Sequence, residues 1–510
     1  LNTSNGFSPG APVPGHGFFL KGSPALLTDS RPVLQLFPRF FSLEESETAP
    51  EDTTVFLTGY DSRLPREGYR ISSEGPALRV EAGEMPGLLY GLLDLIRYSI
   101  EDKISQPQDF SLEEQPAHAY RGFMLDSARH FFKAPEILRI LDLCLILKLN
   151  RFHWHLTDDQ GWRIESKVHP ALHETGSRRK PFRGDHDSCT GYFTREEMAR
   201  VVSYAAERGI TVIPEIDMPG HVSALLAAYP RLSCRGKKKA VPRRPGIYSD
   251  VLCPGREEVF RFMDDILEEI SSLFPGPWIH LGGDEVPPHR WRHCPRCRAL
   301  MARHNLKSES ELQGYFMNRM IHKAAALGKE AVVWNYAATP VSSSEKVQLD
   351  RRGVIQFWRE KGGARRSRRA FEKGQRMIFS DFWHLYLDYP HGMTSLKKTQ
   401  GYAPGFPTEN DEKTAAPLGM EAPLWTEYVT TPEKLYRMIL PRLYAMAETA
   451  WTGKTNPYYG GFLERIRILD SLCRELGYQG TPLDQADPGP VSSFFQVSRF
   501  VLTALSRIRL

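Results

Sequence analysis

The sequence predicts a (β/α)8 barrel preceded by a small α/β sheet domain. Two features predict it. After Pro116, short apolar segments alternate with longer amphipathic ones, eight strand–helix repeats over about 330 residues. Before Pro116, short alternating runs are followed by a single helical pattern, the signature of a sheet with a covering helix.

The elements follow in order. Residues 1–20 are rich in Pro and Gly and read as a flexible arm. A small non-catalytic domain is expected over 21–117. Thr54-Val55-Phe56-Leu57 and Leu78-Arg79-Val80-Glu81 alternate as strands do. Leu88, Leu89, Leu92 and Leu95 then mark the apolar face of a helix over 85–100. The barrel is expected over 118–457. Its strands are read at 122–125, 151–155, 211–214, 278–281, 330–334, 353–357, 376–380 and 423–425. Its helices are read at 135–147, 195–207, 257–273, 310–327 and 432–451, with Pro135 and Pro432 in first-turn positions. Residues 458–510 read as a helical and loop extension packed on the barrel. A doubly wound open sheet is the competing fold, but no GxGxxG follows an early strand.

Composition narrows the function. Of 510 residues, 41% are hydrophobic and 25% charged, which excludes wholesale disorder and fibrous repeats. A net charge of +5, from 66 basic and 61 acidic residues, is too weak to imply a nucleic-acid partner. No apolar run is long enough for a transmembrane helix. The chain begins at Leu1, which is compatible with a removed leader. No GxSxG elbow supports a Ser-His-Asp set, and the basic run at 363–369 reads as a solvated helix face.

Barrel chemistry sits at the C-terminal ends of strands. Polar residues and tryptophans collect there. The second strand ends in His153-Trp154-His155-Leu156-Thr157-Asp158-Asp159, the third in Glu215-Ile216-Asp217 and, beyond, His221. The fourth ends in Gly282-Gly283-Asp284-Glu285, the fifth in Trp334-Asn335, the sixth in Trp358. Tyr386 and Asp388 follow the seventh; Trp425 and Glu427 close the eighth. Indole faces beside carboxylates suit a sugar ring, which has apolar CH faces and a hydroxylated rim. Asp284-Glu285 is the sharpest feature. One acid can protonate a leaving oxygen while its neighbour holds a substrate group such as a 2-acetamide. A metal-dependent hydrolase is a second reading, because His153 and His155 share a strand face with Asp159, Asp217, Asp284 and His221 near by. A non-catalytic glycan-binding protein is a third.

Seven cysteines are present. Cys234 and Cys253 flank a basic, Pro/Gly-rich loop, and Cys294 and Cys297 form a CxxC. Two disulfides, one zinc site or reduced thiols all fit that spacing.

These segments resemble family 20 glycoside hydrolases, the β-N-acetylhexosaminidases, over about 118 to 455. The pieces are Tyr120-Arg121-Gly122-Phe123-Met124-Leu125-Asp126-Ser127-Ala128-Arg129-His130-Phe131, His155-Leu156-Thr157-Asp158-Asp159-Gln160-Gly161-Trp162, Pro214-Glu215-Ile216-Asp217-Met218-Pro219-Gly220-His221, Leu281-Gly282-Gly283-Asp284-Glu285, Tyr386-Leu387-Asp388-Tyr389 and Leu424-Trp425-Thr426-Glu427. The resemblance implies a retaining, substrate-assisted reaction on an N-acetylhexosamine-terminated glycan, needing no metal and no organic cofactor. It implies Glu285 as general acid and base with a raised pKa, Asp284 on the acetamide N–H, and Tyr386 on its carbonyl. Trp334, Trp358 and Trp425 would wall the sugar. Arg121, Asp388 and Glu427 would grip its hydroxyls. Asp159 and His221 would support Glu285 from behind, with His155 and Asp217 ordering that support. Many family members carry an acid where this chain has Asn335. The resemblance further implies a monomer or homodimer in a secreted or periplasmic, bacterial setting. That setting favours disulfides among Cys234, Cys253, Cys294 and Cys297 over zinc.

Overall fold

The computed structural model describes residues 18–43, 53–75, 77–101, 110–182, 189–338, 347–359, 364–406, 416–455 and 457–507. Residues 1–17 of the expected arm, and Gly363 of the basic run, lie outside them. The chain divides into two compact units. One comprises Leu1–Pro116, Glu207–Gly209 and Gly460–Leu476; the other comprises Ala117–Ala206, Ile210–Tyr459 and Gly477–Leu510. The C-terminal extension is therefore split. Its first helix, Tyr459–Glu475, falls almost wholly in the first unit, contrary to an extension packed as a whole on the barrel.

The first unit holds a six-stranded mixed sheet: β1 (Phe18–Gly22), β2 (Phe41–Leu43), β3 (Thr53–Tyr60), β4 (Tyr69–Glu74), β5 (Ala77–Ala82) and β6 (Ser111–Glu114). Their order is β2-β1-β3-β5-β4-β6. The sheet thus begins at Phe18, inside the stretch expected to be an arm. Two helices accompany it, Pro24–Leu36 and Met85–Ile100, where the sequence disclosed only the second. Ser23 caps the first, its hydroxyl accepting from the Leu26 N–H at 3.4 Å.

The second unit is a closed parallel barrel. Its strands are β7 (Tyr120–Asp126), β8 (Arg151–Asp158), β10 (Thr211–Ile216), β11 (Trp278–His280), β12 (Glu330–Trp334), β13 (Val354–Phe357), β14 (Met377–Phe379) and β15 (Gly419–Leu424). The pairing of β8 with β10 closes the circle. A two-residue strand, β9 (Gly161–Trp162), folds back antiparallel on the end of β8. All eight barrel strands lie where the sequence put them except the last, which starts at Gly419 rather than 423. The helix expected over 432–451 is two helices, Pro432–Ile439 and Arg442–Thr452. Pro441 between them has no N–H to donate and clashes with the preceding turn. The basic run does form a helix, Arg365–Glu372, with Ser367 and Phe371 buried.

The barrel interior is layered. Tyr120, Ile213, Val332, Val354 and Ile378 fill the bottom with apolar bulk. Above them lies a polar storey. His153 Nδ1 is 2.9 Å from Glu421 Oε1 and its Nε2 is 3.1 Å from Glu215 Oε2. Gln356 Nε2 donates to Glu421 Oε1 at 2.6 Å and Tyr120 Oη donates to Glu421 Oε2 at 2.5 Å. His280 Nδ1 is 3.0 Å from Glu215 Oε1. The top storey is aromatic: Met124, Trp334, Trp358, Phe382 and Tyr386, with Tyr336, Tyr389, Met393 and Trp425 against them.

Candidate active site

The site forms on the top storey, at the C-terminal ends of the strands. The Gly282-Gly283-Asp284-Glu285 turn leaves β11 in a left-handed conformation: φ is 64° at Gly282, 99° at Gly283 and 44° at Glu285. A Cβ on Gly282 would stand 1.8 Å from Asp217 Oδ1, so only glycine fits there. Glu285 and His221 (φ 49°) are non-glycine residues in this region. Such strain concentrates at functional sites. The turn places both carboxylates within reach of one imidazole. His221 Nε2 lies 3.9 Å from Asp284 Oδ2 and 3.7 Å from Glu285 Oε2. His221 Nδ1 faces Asp159 Oδ2 at 3.1 Å and Asp158 Oδ1 at 3.3 Å. Asp159, His221 and Glu285 thus form a relay running out from β8.

Asp217 anchors this turn from below. Its Oδ1 accepts from the Gly283 N–H at 3.1 Å, and its own N–H donates to Thr157 Oγ1 at 3.0 Å. His155 sits deeper still. Its Nε2 is 3.0 Å from Asp158 Oδ2, and its Nδ1 bonds Glu215. Every imidazole nitrogen of His153 and His155 thus faces a carboxylate.

The aromatic wall is continuous. Trp334 and Trp425 have centroids 5.8 Å apart; Trp358 and Tyr386 stack at 5.9 Å and 23°; Tyr386 and Trp425 are 6.5 Å apart. Trp334 is held from beneath, its Nε1 donating to Glu215 Oε1 at 2.8 Å. Several polar atoms of this wall and its acids have no hydrogen-bond partner among the described residues: Asp284 Oδ1, Asp388 Oδ1, Tyr336 Oη and Trp358 Nε1. Buried groups of this kind call for polar partners. A hydroxylated ligand with an apolar face supplies them.

Asn335 is fully buried behind the wall. Its Nδ2 donates to the Arg359 carbonyl at 2.9 Å and its Oδ1 accepts from the Trp358 N–H at 3.2 Å. The amide therefore fixes Trp358 and Arg359. The Arg359 guanidinium lies 4.4 Å over the Trp358 ring and 3.9 Å from Glu285 Oε1.

Arg121 is a correction. It is the second residue of β7, at the opposite end of the barrel from the pocket. Its guanidinium donates to the carbonyls of Lys148 at 2.8 Å and His118 at 2.9 Å. The arginine at the mouth is Arg129, eight residues on. Its Nη2 lies 2.7 Å from Asp158 Oδ2 and 4.0 Å from Glu427 Oε1, and its guanidinium rests 4.8 Å above Trp425. Asp126, at the end of β7, shapes this turn by accepting from the N–H groups of Ala128 and Arg129 at 2.8 and 3.0 Å and of Thr426 at 3.1 Å. A small cleft opens beside Arg129 and Glu427, bounded by Gln160, Arg243 and Pro245. Sequence reasoning missed both Arg129 and Asp158, although each lies inside a quoted motif. The signal that finds Arg129 is position: it follows β7, whereas Arg121 opens it.

The acids divide. Burial, with the nearby Glu285 charge, raises the Asp284 pKa to about 6. Burial and Asp284 push Asp217 well above the ordinary range. Burial also pushes Glu285 up, but the hydrogen bond and charge of His221, with Arg359 and Arg129, outweigh it and leave Glu285 below the usual carboxylate range. This reverses the expectation of a raised Glu285. The cause is the three cations that the fold aims at this carboxylate. Burial opposes charge on His221, yet Asp158, Asp159 and Glu285 raise its pKa well above the usual value. Burial, with the Glu427 charge, pushes Asp388 up, and burial pushes Glu427 up as well.

The expected disulfides are a second correction. All seven cysteines are free, and the nearest sulfurs of the four paired ones are 3.6 and 3.8 Å apart, against about 2.05 Å for a bond. Among the described residues no helix is long and apolar enough to cross a membrane.

Comparison with known proteins agrees with this geometry. Residues 118–454 match the catalytic domain of glycosyl hydrolase family 20. The chain is 35% identical over 471 residues to a beta-hexosaminidase of Porphyromonas gingivalis, covering 87% of this chain and 58% of that protein, so it spans less than two thirds of that relative's length. Among solved structures it is similar to the beta-N-acetylhexosaminidase of Bacteroides fragilis, with TM-score 0.76, 29% identity, and coverage of 92% and 93% of the two chains. The exo beta-N-acetylglucosaminidase of Vibrio harveyi, solved in complex with N-acetylglucosamine, gives TM-score 0.75 and 26% identity over 92% of this chain and 75% of that one.

Proposed function

This chain belongs to glycosyl hydrolase family 20, and on that premise we propose that it is an exo-acting, retaining β-N-acetylhexosaminidase. It releases terminal β-linked GlcNAc or GalNAc by substrate-assisted catalysis. The observation that carries this reading is the Gly282–Glu285 turn, left-handed at Gly282, Gly283 and Glu285, which brings two adjacent acids to the one His221 imidazole.

Each group then has a task. Glu285 protonates the leaving oxygen as the substrate's acetamide oxygen attacks C1, forming an oxazolinium-type intermediate. Asp284 accepts from the acetamide N–H and balances the positive charge. The Tyr386 hydroxyl donates to the acetamide carbonyl and points it at C1, so proximity does much of the work. Glu285, now a carboxylate, takes a proton from the water that opens the ring, which restores both the acid and the β-configuration. His221, backed by Asp159, stabilises that carboxylate. A sugar seated over Glu285 adds burial, the influence that already favours its acid form. Trp334, Trp358 and Trp425 wall the acetamide methyl and the ring face, while Arg129, Glu427 and Asp388 reach the ring hydroxyls. Arg129, not Arg121, is the arginine at the pocket.

The test compares aryl β-N-acetylglucosaminides and β-N-acetylgalactosaminides with the unsubstituted β-glucoside. Turnover confined to the acetamido sugars is expected. Equal rates on the glucoside would reject participation by the acetamide.

A further inference from the structure

The four clustered cysteines are not used by that chemistry. We infer that Cys234, Cys253, Cys294 and Cys297 hold one structural zinc ion as four thiolates, and that the ion pins the 234–253 loop beside the sugar pocket. The sulfur spacing carries this. A tetrahedral site with Zn–S bonds of about 2.3 Å has edges of about 3.8 Å. Here Cys234 and Cys297 Sγ are 3.8 Å apart, Cys253 and Cys294 Sγ 3.8 Å, and Cys253 and Cys297 Sγ 3.6 Å. All four sulfurs lie within 4.8 Å of one another. Two disulfides would pair the sulfurs off; here Cys253 and Cys297 each approach two other sulfurs to 3.6–3.8 Å.

The backbone is built to hold them so. An antiparallel bridge between Ser233 and Leu252 sets Cys234 and Cys253 side by side, and the Cys253 N–H donates to the Leu232 carbonyl at 2.9 Å. Cys294 precedes the helix Pro295–Arg303, and Cys297 lies in its first turn. A helix N-terminus favours thiolate over thiol. The two halves press together: a Cβ on Gly255 would stand 2.3 Å from the Arg296 carbonyl carbon and 2.5 Å from the Cys297 nitrogen. Cys253 and Cys297 are fully buried, Cys294 nearly so, and Cys234 closes the site at its rim. Binding replaces four thiol protons with one Zn²⁺, with no change of oxidation state. The site then carries a net charge of −2, and Arg235, Lys237, Lys238 and Lys239 follow the first ligand directly in the chain.

The loop so fixed reaches the sugar pocket at three places. The Leu252 N–H donates to the Pro219 carbonyl at 3.0 Å, two residues before His221. Gln160 Nε2 donates to the Arg244 carbonyl at 2.9 Å. Arg243 and Pro245 line the cleft beside Arg129 and Glu427. Side-chain contacts hold the middle of the loop, Arg290 Nε to Asp250 Oδ1 at 2.7 Å and Tyr248 Oη to the Arg244 carbonyl at 2.9 Å, while the ion ties its two ends together at the base.

The experiment is metal analysis of the full chain, purified without added chelator or reductant. One zinc per chain that survives dialysis is expected, together with a tetrathiolate spectrum after exchange into Co²⁺: strong visible d–d bands and a thiolate-to-cobalt charge-transfer band. Cys234→Ser, at the rim, should lose the zinc and the charge-transfer intensity. Cys144→Ser, in the Ala134–Ile146 helix, should keep both. Stripping the metal should speed tryptic cleavage at Lys237, Lys238 and Lys239 by 10-fold or more. Iron in place of zinc, two disulfides by non-reducing mass spectrometry, or four titratable thiols without metal would each overturn the assignment. Equal cleavage rates with and without metal would overturn the role given to the loop.

Discussion

Exchanging each of two arginines for lysine separates pocket from scaffold. Arg129 and Arg121 are both buried on the β7 segment, but only Arg129 faces the mouth. Arg129→Lys keeps a positive charge near Asp158 and loses the planar fork that spans Asp158, Asp126 and the approach to Glu427. One hydrogen bond between a charged group and a sugar hydroxyl is worth about 1.5–3 kcal/mol. At about 1.4 kcal/mol per decade, Arg129→Lys is expected to lower kcat/KM about 10- to 150-fold. Arg121→Lys removes donors to the Lys148 and His118 carbonyls, a stability cost of about 1–3 kcal/mol, and is expected to change kcat/KM less than about 3-fold per folded molecule. The assay is steady-state hydrolysis of an aryl N-acetyl-β-glucosaminide, with folded fraction checked by urea unfolding. Equal losses of kcat/KM at the two positions would refute the assignment of Arg129 to the substrate.

Three further outcomes are expected. Glu285→Gln should cut turnover by about 10²- to 10⁴-fold, most for poor leaving groups, in a leaving-group series; a flat series would remove Glu285 from the acid role. Asp284 has a folded pKa of about 6 against 3.8 unfolded, so it costs stability that grows as pH rises from about 4 to 6 and is constant above. Asp284→Asn should therefore stabilise the fold by up to about 3 kcal/mol at pH 7 and by little at pH 4, read by urea unfolding at both, while acetamide-dependent turnover collapses. Asn335→Asp replaces the donor to the Arg359 carbonyl with a buried carboxylate and should cost about 1–3 kcal/mol or more of stability, with weakened fluorescence quenching by ligand at the displaced Trp358.

Much of the barrel was legible because its strands are short apolar runs between amphipathic helices. The exception is instructive. β15 contains Gly419, Glu421 and Pro423, and reads as a strand only once Glu421 is known to face His153 and Gln356 inside the barrel. The apolar periodicity continues on both sides of Pro441, so the sequence reads as one helix where the chain makes two. The catalytic turn was legible as a motif. Its ionisation was not, because the cations acting on Glu285 come from segments after β7, β10 and β13, far apart in the chain. Cysteine spacing alone admits a bond or a metal; only the positions of the sulfurs discriminate.

The polar storey of the barrel sets which extreme of pH the molecule tolerates. The Glu421 and Glu215 charges outweigh burial and raise the His153 pKa to about 9, so its proton is held more tightly folded than unfolded. The stability this contributes is complete below about pH 6.5 and drains away as pH climbs through about 9. Loss of that proton leaves Glu215 and Glu421 flanking a neutral imidazole that can donate to only one of them. Alkali, then, draws stability from the middle of the barrel interior, where His153 bridges β10 and β15.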